Sequence, residues 1–182
     1  MAVEREIKLR FPSPEAARQA VQGLGAVPLR PRRLQDDVLF DASDGRLQQA
    51  GCALRVRRDG DRGAVTFKGP VVASAMKTRE EIETAVDQPE AVERLFTALG
   101  FSPQFRYQKF REEFSIPGVV LAVDETPVGT FIELEGEEAA IADAAARLGR
   151  SPADYVLASY RALFLEHVRQ HGGGPHMLFE GA

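Results

Sequence analysis

Short stretches along this chain alternate between apolar and fully charged residues, and that period of two constrains the fold more than any other feature. Side chains of a strand point alternately to its two faces. In residues 3–11, Glu4, Glu6, Lys8 and Arg10 share one face, while Val3, Ile7, Leu9 and Phe11 share the other. Arg55 and Arg57 oppose Leu54 and Val56; Thr66 and Lys68 oppose Val65 and Phe67. Arg79, Glu81 and Glu83 share a face opposite Ile82, and Tyr107, Lys109 and Arg111 oppose Phe110. Glu133 and Glu135 oppose Ile132 and Leu134, and Asp124 closes a further strand. The apolar faces can bury helices. The charged faces must look into water or into one shared cavity.

The pattern predicts about eight strands: 3–11, 34–40, 53–58, 64–68, 77–85, 105–116, 119–124 and 129–135. Asp59-Gly60-Asp61 is a hairpin turn between the third and fourth. Helices are expected at 14–24, capped by Ser13 with Pro14 in the first turn and stopped by Gly25, at 90–99 after Pro89, and at 137–148 before Gly149. A short helical segment fits 44–49. A final helical pattern runs from Ser151, which with Asp154 forms a capping box, to about His171, broken near Ser159. Residues 71–76 read as a loop. The run Gly172-Gly173-Gly174 marks 172–182 as a flexible tail, with His176 incidental, and leaves 1–171 as one domain. Alternation alone fits an open sheet with a solvated face as well as a closed barrel. Eight strands suffice for closure, which removes exposed edges.

The signs of the charges bear on that choice. Arg55 with Arg57, and Lys109 with Arg111, set cation beside cation; Glu4 with Glu6, Glu81 with Glu83, and Glu133 with Glu135 set anion beside anion. Such spacing is unfavourable unless something of opposite charge lies between. A polyphosphate neutralises the first kind of pair and a divalent metal the second. Mg²⁺ and Mn²⁺ prefer oxygen ligands, and Mg²⁺ typically combines one or two carboxylates with phosphate oxygens. The expected architecture is therefore α+β: a closed eight-stranded antiparallel β-barrel with surrounding helices and a charged interior.

Composition narrows the function classes. The chain has 182 residues, enough for one domain with a sizeable core. A net charge of -4 argues against a dedicated nucleic-acid binder. No segment has the ~20 apolar residues of a membrane span, and residues 1–6 lack a secretory apolar stretch, so a cytoplasmic location is expected. Cys52 is the sole cysteine, which excludes an internal disulfide; it reads as a packed core thiol.

The run Glu4-x-Glu6-x-Lys8 resembles the signature of the CYTH superfamily, the triphosphate tunnel metalloenzymes. Leu54-Arg55-Val56-Arg57, Val65-Thr66-Phe67-Lys68-Gly69-Pro70, Arg79-x-Glu81-x-Glu83, Lys109-x-Arg111, Asp124, Glu133-x-Glu135 and Ser159-Tyr160 follow in the same order, so the likeness spans about residues 3–165. The resemblance implies a closed eight-stranded tunnel. It implies that Lys8, Arg55, Arg57, Lys68, Lys109 and Arg111 hold a triphosphate, and that Glu4, Glu6, Glu133 and Glu135 bind metal. Asp124 would join that catalytic and metal group as a supporting acid, and Glu81 and Glu83 would be further supporting acids, with Arg79 pairing among them. Family members include inorganic and thiamine triphosphatases and class IV adenylate cyclases. The leading expectation is Mg²⁺- or Mn²⁺-dependent hydrolysis of a small triphosphate. The alternatives are a cyclase converting ATP to cyclic AMP and pyrophosphate, and a non-catalytic polyphosphate-binding module. His167 and His171 read as solvated helix residues, and Arg30, Arg32 and Arg33 as a solvated loop or an outer approach patch. A monomer and a homodimer are equally compatible with the sequence.

Overall fold

The computed structural model describes residues 2–60 and 62–181; Met1, Asp61 and Ala182, including the last residue of the expected 59–61 turn, lie outside it. Eight strands close into an antiparallel barrel: β1 (Ala2–Phe11), β2 (Val27–Ala42), β3 (Ala53–Asp59), β4 (Arg62–Lys68), β5 (Lys77–Val86), β6 (Phe101–Ile116), β7 (Val119–Thr126) and β8 (Gly129–Gly136). The order around the wall is β1-β5-β4-β3-β2-β6-β7-β8. β1 completes the ring, pairing Glu4 with Arg79 on one side and Lys8 with Glu133 on the other.

The apolar core lies outside the ring. Helix α1 (Pro14–Gly23) begins where the Ser13 hydroxyl accepts from the Ala16 N–H at 3.2 Å, and it buries Ala17 and Val21. Helix α4 (Glu138–Arg147) buries Ile141, Ala144 and Ala145. Both pack over Ile7, Leu9, Leu121, Ile132 and Leu134, the apolar parity of β1, β7 and β8. Truncating any of these large side chains costs about 2–5 kcal/mol, because the cavity left behind refills only partly. Helix α3 (Pro89–Ala98) covers Val38, Phe40 and Val56 through Val92 and Phe96. A short α2 (Arg46–Gln49) starts beside Asp41, whose carboxylate accepts the N–H groups of Leu47 and Gln48 at 3.0 and 2.9 Å.

Several local readings need correction. β2 begins at Val27, so Arg30, Arg32 and Arg33 are strand residues rather than a loop. Pro28 and Pro31 are accommodated because the β2–β6 register shifts between Pro28 and Arg30 and again between Arg30 and Arg33; irregularities are where strands tolerate proline. The expected long final helix is a 3₁₀ turn (Pro152–Asp154) followed by α5 (Tyr160–His171), which starts at the Ser159 cap. The expected flexible tail is docked. Met177 is fully buried and exchanges backbone bonds with Arg106 and Gln108 of β6, and Phe179 packs on Phe110. His176 accepts the Arg106 N–H through Nδ1 at 3.2 Å, so it is not incidental. The glycine run supplies a bend, and the apolar residues after it find the part of the β6 edge that β7 does not cover. Cys52 is half-buried, not a core residue.

Candidate active site

The inner parity of the strands lines one cavity of about 1120 Å³. Glu4, Glu6 and Lys8 come from β1, Arg55 and Arg57 from β3, and Lys68 from β4. Arg79, Glu81 and Glu83 come from β5, Lys109 and Arg111 from β6, and Glu133 and Glu135 from β8. Asp124 sits behind this lining, fully buried. The sequence thus placed every charged residue of its candidate set in or directly behind a single interior.

The charges are tied to one another. Lys8 bridges Glu6 at 3.1 Å and Glu133 at 3.3 Å. Lys68 contacts Glu4 at 2.6 Å and Glu81 at 2.5 Å, and Arg79 reaches Glu4 at 3.2 Å. Asp124 accepts from Lys109 Nζ at 2.8 Å, from Arg111 Nε at 2.7 Å and from the Tyr160 hydroxyl at 2.6 Å; Arg111 also binds Glu133. The Tyr160 ring lies under Lys8 and Lys109, with centroid distances of 5.3 and 4.9 Å. Cations over an aromatic face are attracted to its negative quadrupole.

These contacts set the protonation states. Burial pushes the Glu133 carboxyl up, yet Lys109, Arg111 and Lys8 together hold it well below the usual range. Glu6 behaves alike: burial opposes its charge, but Lys8 and Lys77 outweigh it. Burial and the neighbouring Arg111 press the Lys109 ammonium down to about 8, against the pull of Asp124. Glu135 differs. It is open to water at the mouth, yet the enclosing wall and the nearby Glu4 push its carboxyl up to about 7, with Glu133 and Glu6 adding. Negative charge is in excess at that point. Among the described residues no three acids converge as a preformed metal cage. The donor set fits a hard divalent cation held by one or two carboxylates together with ligand oxygens.

Sequence reasoning missed three interior residues. Asp37 is fully buried and pairs bidentately with Arg57, at 2.7 and 3.1 Å, and with Arg55 at 3.4 Å. Lys77 binds Glu6 at 2.5 Å. Gln35 donates to Asp59 at 3.1 Å. The alternation Gln35, Asp37, Leu39, Asp41 was the available signal for two of them. The basic cluster of β2 serves this same rim: Arg33 joins Asp59 at 2.6 Å and Glu113 at 2.6 Å, and Arg30 joins Asp59 at 2.9 Å.

The model of the CYTH domain matches residues 2–160. The chain belongs to the CYTH family. A CYTH relative from Methanocaldococcus jannaschii, provisionally named an adenylate cyclase, is 30% identical over 134 residues, covering 73% of this chain and 76% of its own. Among solved structures, a Pyrococcus horikoshii protein shares 26% identity with a TM-score of 0.74, covering 86% of this chain and 96% of that one. A Hippeastrum protein with an adenylyl cyclase name, described as revealing a dominant triphosphatase activity, has the same fold: TM-score 0.68, 23% identity, 90% of this chain and 96% of that one. The family to which this chain belongs thus includes proteins named for adenylate cyclase and for triphosphatase activity.

Proposed function

We propose that this CYTH protein hydrolyses a small triphosphate with the help of Mg²⁺ or Mn²⁺. The observation that carries the reading is the sorting of the interior. Arg55, Arg57, Lys109 and Arg111 occupy β3 and β6, while Glu4, Glu6, Glu133 and Glu135 occupy the neighbouring β1 and β8. Lys8 and Lys68 stand on the acidic side, tied to Glu6, Glu133 and Glu4.

Arg55, Arg57, Lys109 and Arg111 grip phosphate oxygens, the guanidinium groups through paired parallel bonds. Lys8 and Lys68 leave their glutamates for the phosphate chain. Glu4, Glu6 and Glu133, so released, would hold the cation together with Glu135. Asp124 has its oxygens filled by Lys109, Arg111 and Tyr160, and it aims those two cations rather than holding metal. Arg79, Glu81 and Glu83 balance Glu4, Lys68 and Arg55. A divalent cation held there would supply charge neutralisation on the transferring phosphoryl group and polarisation of the water. The preset cations stabilise charge as it develops, without reorganising at the moment of reaction.

A cyclase is the second reading. The provisional name of the archaeal relative and a cavity of about 1120 Å³, larger than an inorganic triphosphate fills, favour it. The test is to incubate the protein with tripolyphosphate, thiamine triphosphate and ATP, with either metal, and identify products. Release of phosphate, abolished by chelator, is expected. Cyclic AMP with pyrophosphate would establish the cyclase instead, and tight binding without turnover would leave a binding module. Glu4→Gln should weaken metal dependence while the fold persists; coincident metal titrations for variant and parent would remove Glu4 from the metal site.

A further inference from the structure

One interior group is mismatched to a phosphate chain. Gln35 lines the cavity and is 1% exposed, and its Oε1 is buried with no hydrogen-bond partner among the described residues. The orientation of the carboxamide is fixed. Its Nε2 donates to Asp59 at 3.1 Å, and Asp59 is itself held by Arg33 at 2.6 Å and Arg30 at 2.9 Å. Only the nitrogen can face a carboxylate, so the oxygen is the end left over. In the strand register Gln35 lies beside Lys109, and Asp37, the next inner residue, lies beside Arg57.

A carbonyl oxygen among phosphate-gripping cations needs a donor. An ionised phosphate offers only acceptors, so the chain itself cannot satisfy Gln35. Leaving a buried acceptor unmade costs about 1–3 kcal/mol. The component of a hydrolytic reaction that does carry O–H donors is the attacking water. We propose that Gln35 Oε1 accepts a hydrogen bond from that water and so positions it. Glutamine carboxamides serve this purpose in other phosphoryl-transfer sites. The water oxygen forms the new bond to the terminal phosphorus, and the bond from that phosphorus to the bridging oxygen breaks. Pyrophosphate leaves with the bond pair, and the water proton passes to product phosphate or solvent. Gln35 takes no proton.

The inference rests on the hydrolytic reading, and the two fail separately. Parent protein that does not release phosphate from tripolyphosphate defeats the reading. If the parent does turn over, Gln35→Met decides this proposal. Its kcat should fall about 100-fold, as for a misplaced reactant, while KM and the affinity for a non-hydrolysable triphosphate analogue stay within about threefold, because ground-state binding is untouched. Unchanged kcat, or a loss confined to KM, overturns the assignment. Should Gln35→Met fail to fold, Asp59→Asn answers the same question: it releases the carboxamide to turn over, so kcat should fall several-fold at constant KM. An Asp59→Asn protein with parental kcat likewise overturns it.

Discussion

Arg57 and Arg58 are adjacent in sequence and opposite in fate, which makes them a matched pair. Arg57 points inward to Asp37, while Arg58 points outward to Glu90 at 2.8 Å and Glu93 at 2.7 Å on α3. Removing a preorganised cationic donor from a phosphoryl-transfer site costs about 2–4 kcal/mol of transition-state stabilisation. At 1.36 kcal/mol per tenfold, Arg57→Ala should lower kcat/KM by about 30- to 900-fold. The same substitution leaves Asp37 fully buried with Arg55 as its remaining partner. An uncompensated buried charge costs about 3–5 kcal/mol; Arg55 offsets part, so about 2 kcal/mol is expected. For a domain of this length that is a fall in Tm of about 4–8 °C. Adding Asp37→Asn should recover much of the Tm and none of the activity. Arg58→Ala loses partly exposed ion pairs worth about 1 kcal/mol or less and should keep parental kcat/KM. The assays are steady-state hydrolysis of tripolyphosphate and thermal melts. Equal activity losses at the two arginines would refute the link between strand parity and function. Recovery of activity in the double variant would show that Arg57 acts only through stability.

Tyr160→Phe removes one charge-assisted bond to buried Asp124, and melts should register a loss of about 1.5–3 kcal/mol. Met177→Ala should cost about 2–5 kcal/mol in thermal melts, because the side chain is fully buried against β6; an unchanged melt would contradict the docking of this segment. For pH dependence, burial opposes the charge of Asp37, but Arg57 and Arg55 outweigh it and hold its carboxyl below the ordinary 3.8. Its contribution is therefore complete above pH ~4 and is lost as pH falls further, while the unfolded chain takes up the proton first. Parent melts should decline over that acid range, and Asp37→Asn should flatten the decline; parallel curves would contradict the assignment.

The inner face was legible because strand parity is a local property: Arg55, Arg57, Lys109 and Glu133 announce it through their immediate neighbours. Which acid meets which cation was not, since Lys8 finds Glu133 and Lys68 finds Glu4 only through pairings of strands far apart in the chain. Asp37 was passed over because Asp36 beside it blurs the alternation; the structure separates them, Asp36 turning outward to Arg106 at 2.8 Å. The start of β2 was obscured by Pro28, Pro31 and three arginines, a composition that locally favours a loop. Tertiary pairing with β6 overrides it. The docking of Met177 rests on an open stretch of β6 edge, which no inspection of the last ten residues could reveal.

The double pairing of β1 has a consequence for the order in which the molecule can be assembled. Its neighbours are β5, at residues 77–86, and β8, at residues 129–136. During synthesis the first strand therefore waits for its second partner until residues 129–136 have emerged, with Glu4, Glu6 and Lys8 lacking the Glu133 side of their network. Contacts of such long sequence separation are entropically slow to form. Ring closure should be the late, rate-limiting event of folding, and the β2–β3–β4 meander, whose partners follow one another directly, the early one. Nascent chains stalled before residue 129 would then carry a half-open sheet with unpaired edges, the state most exposed to wrong pairing.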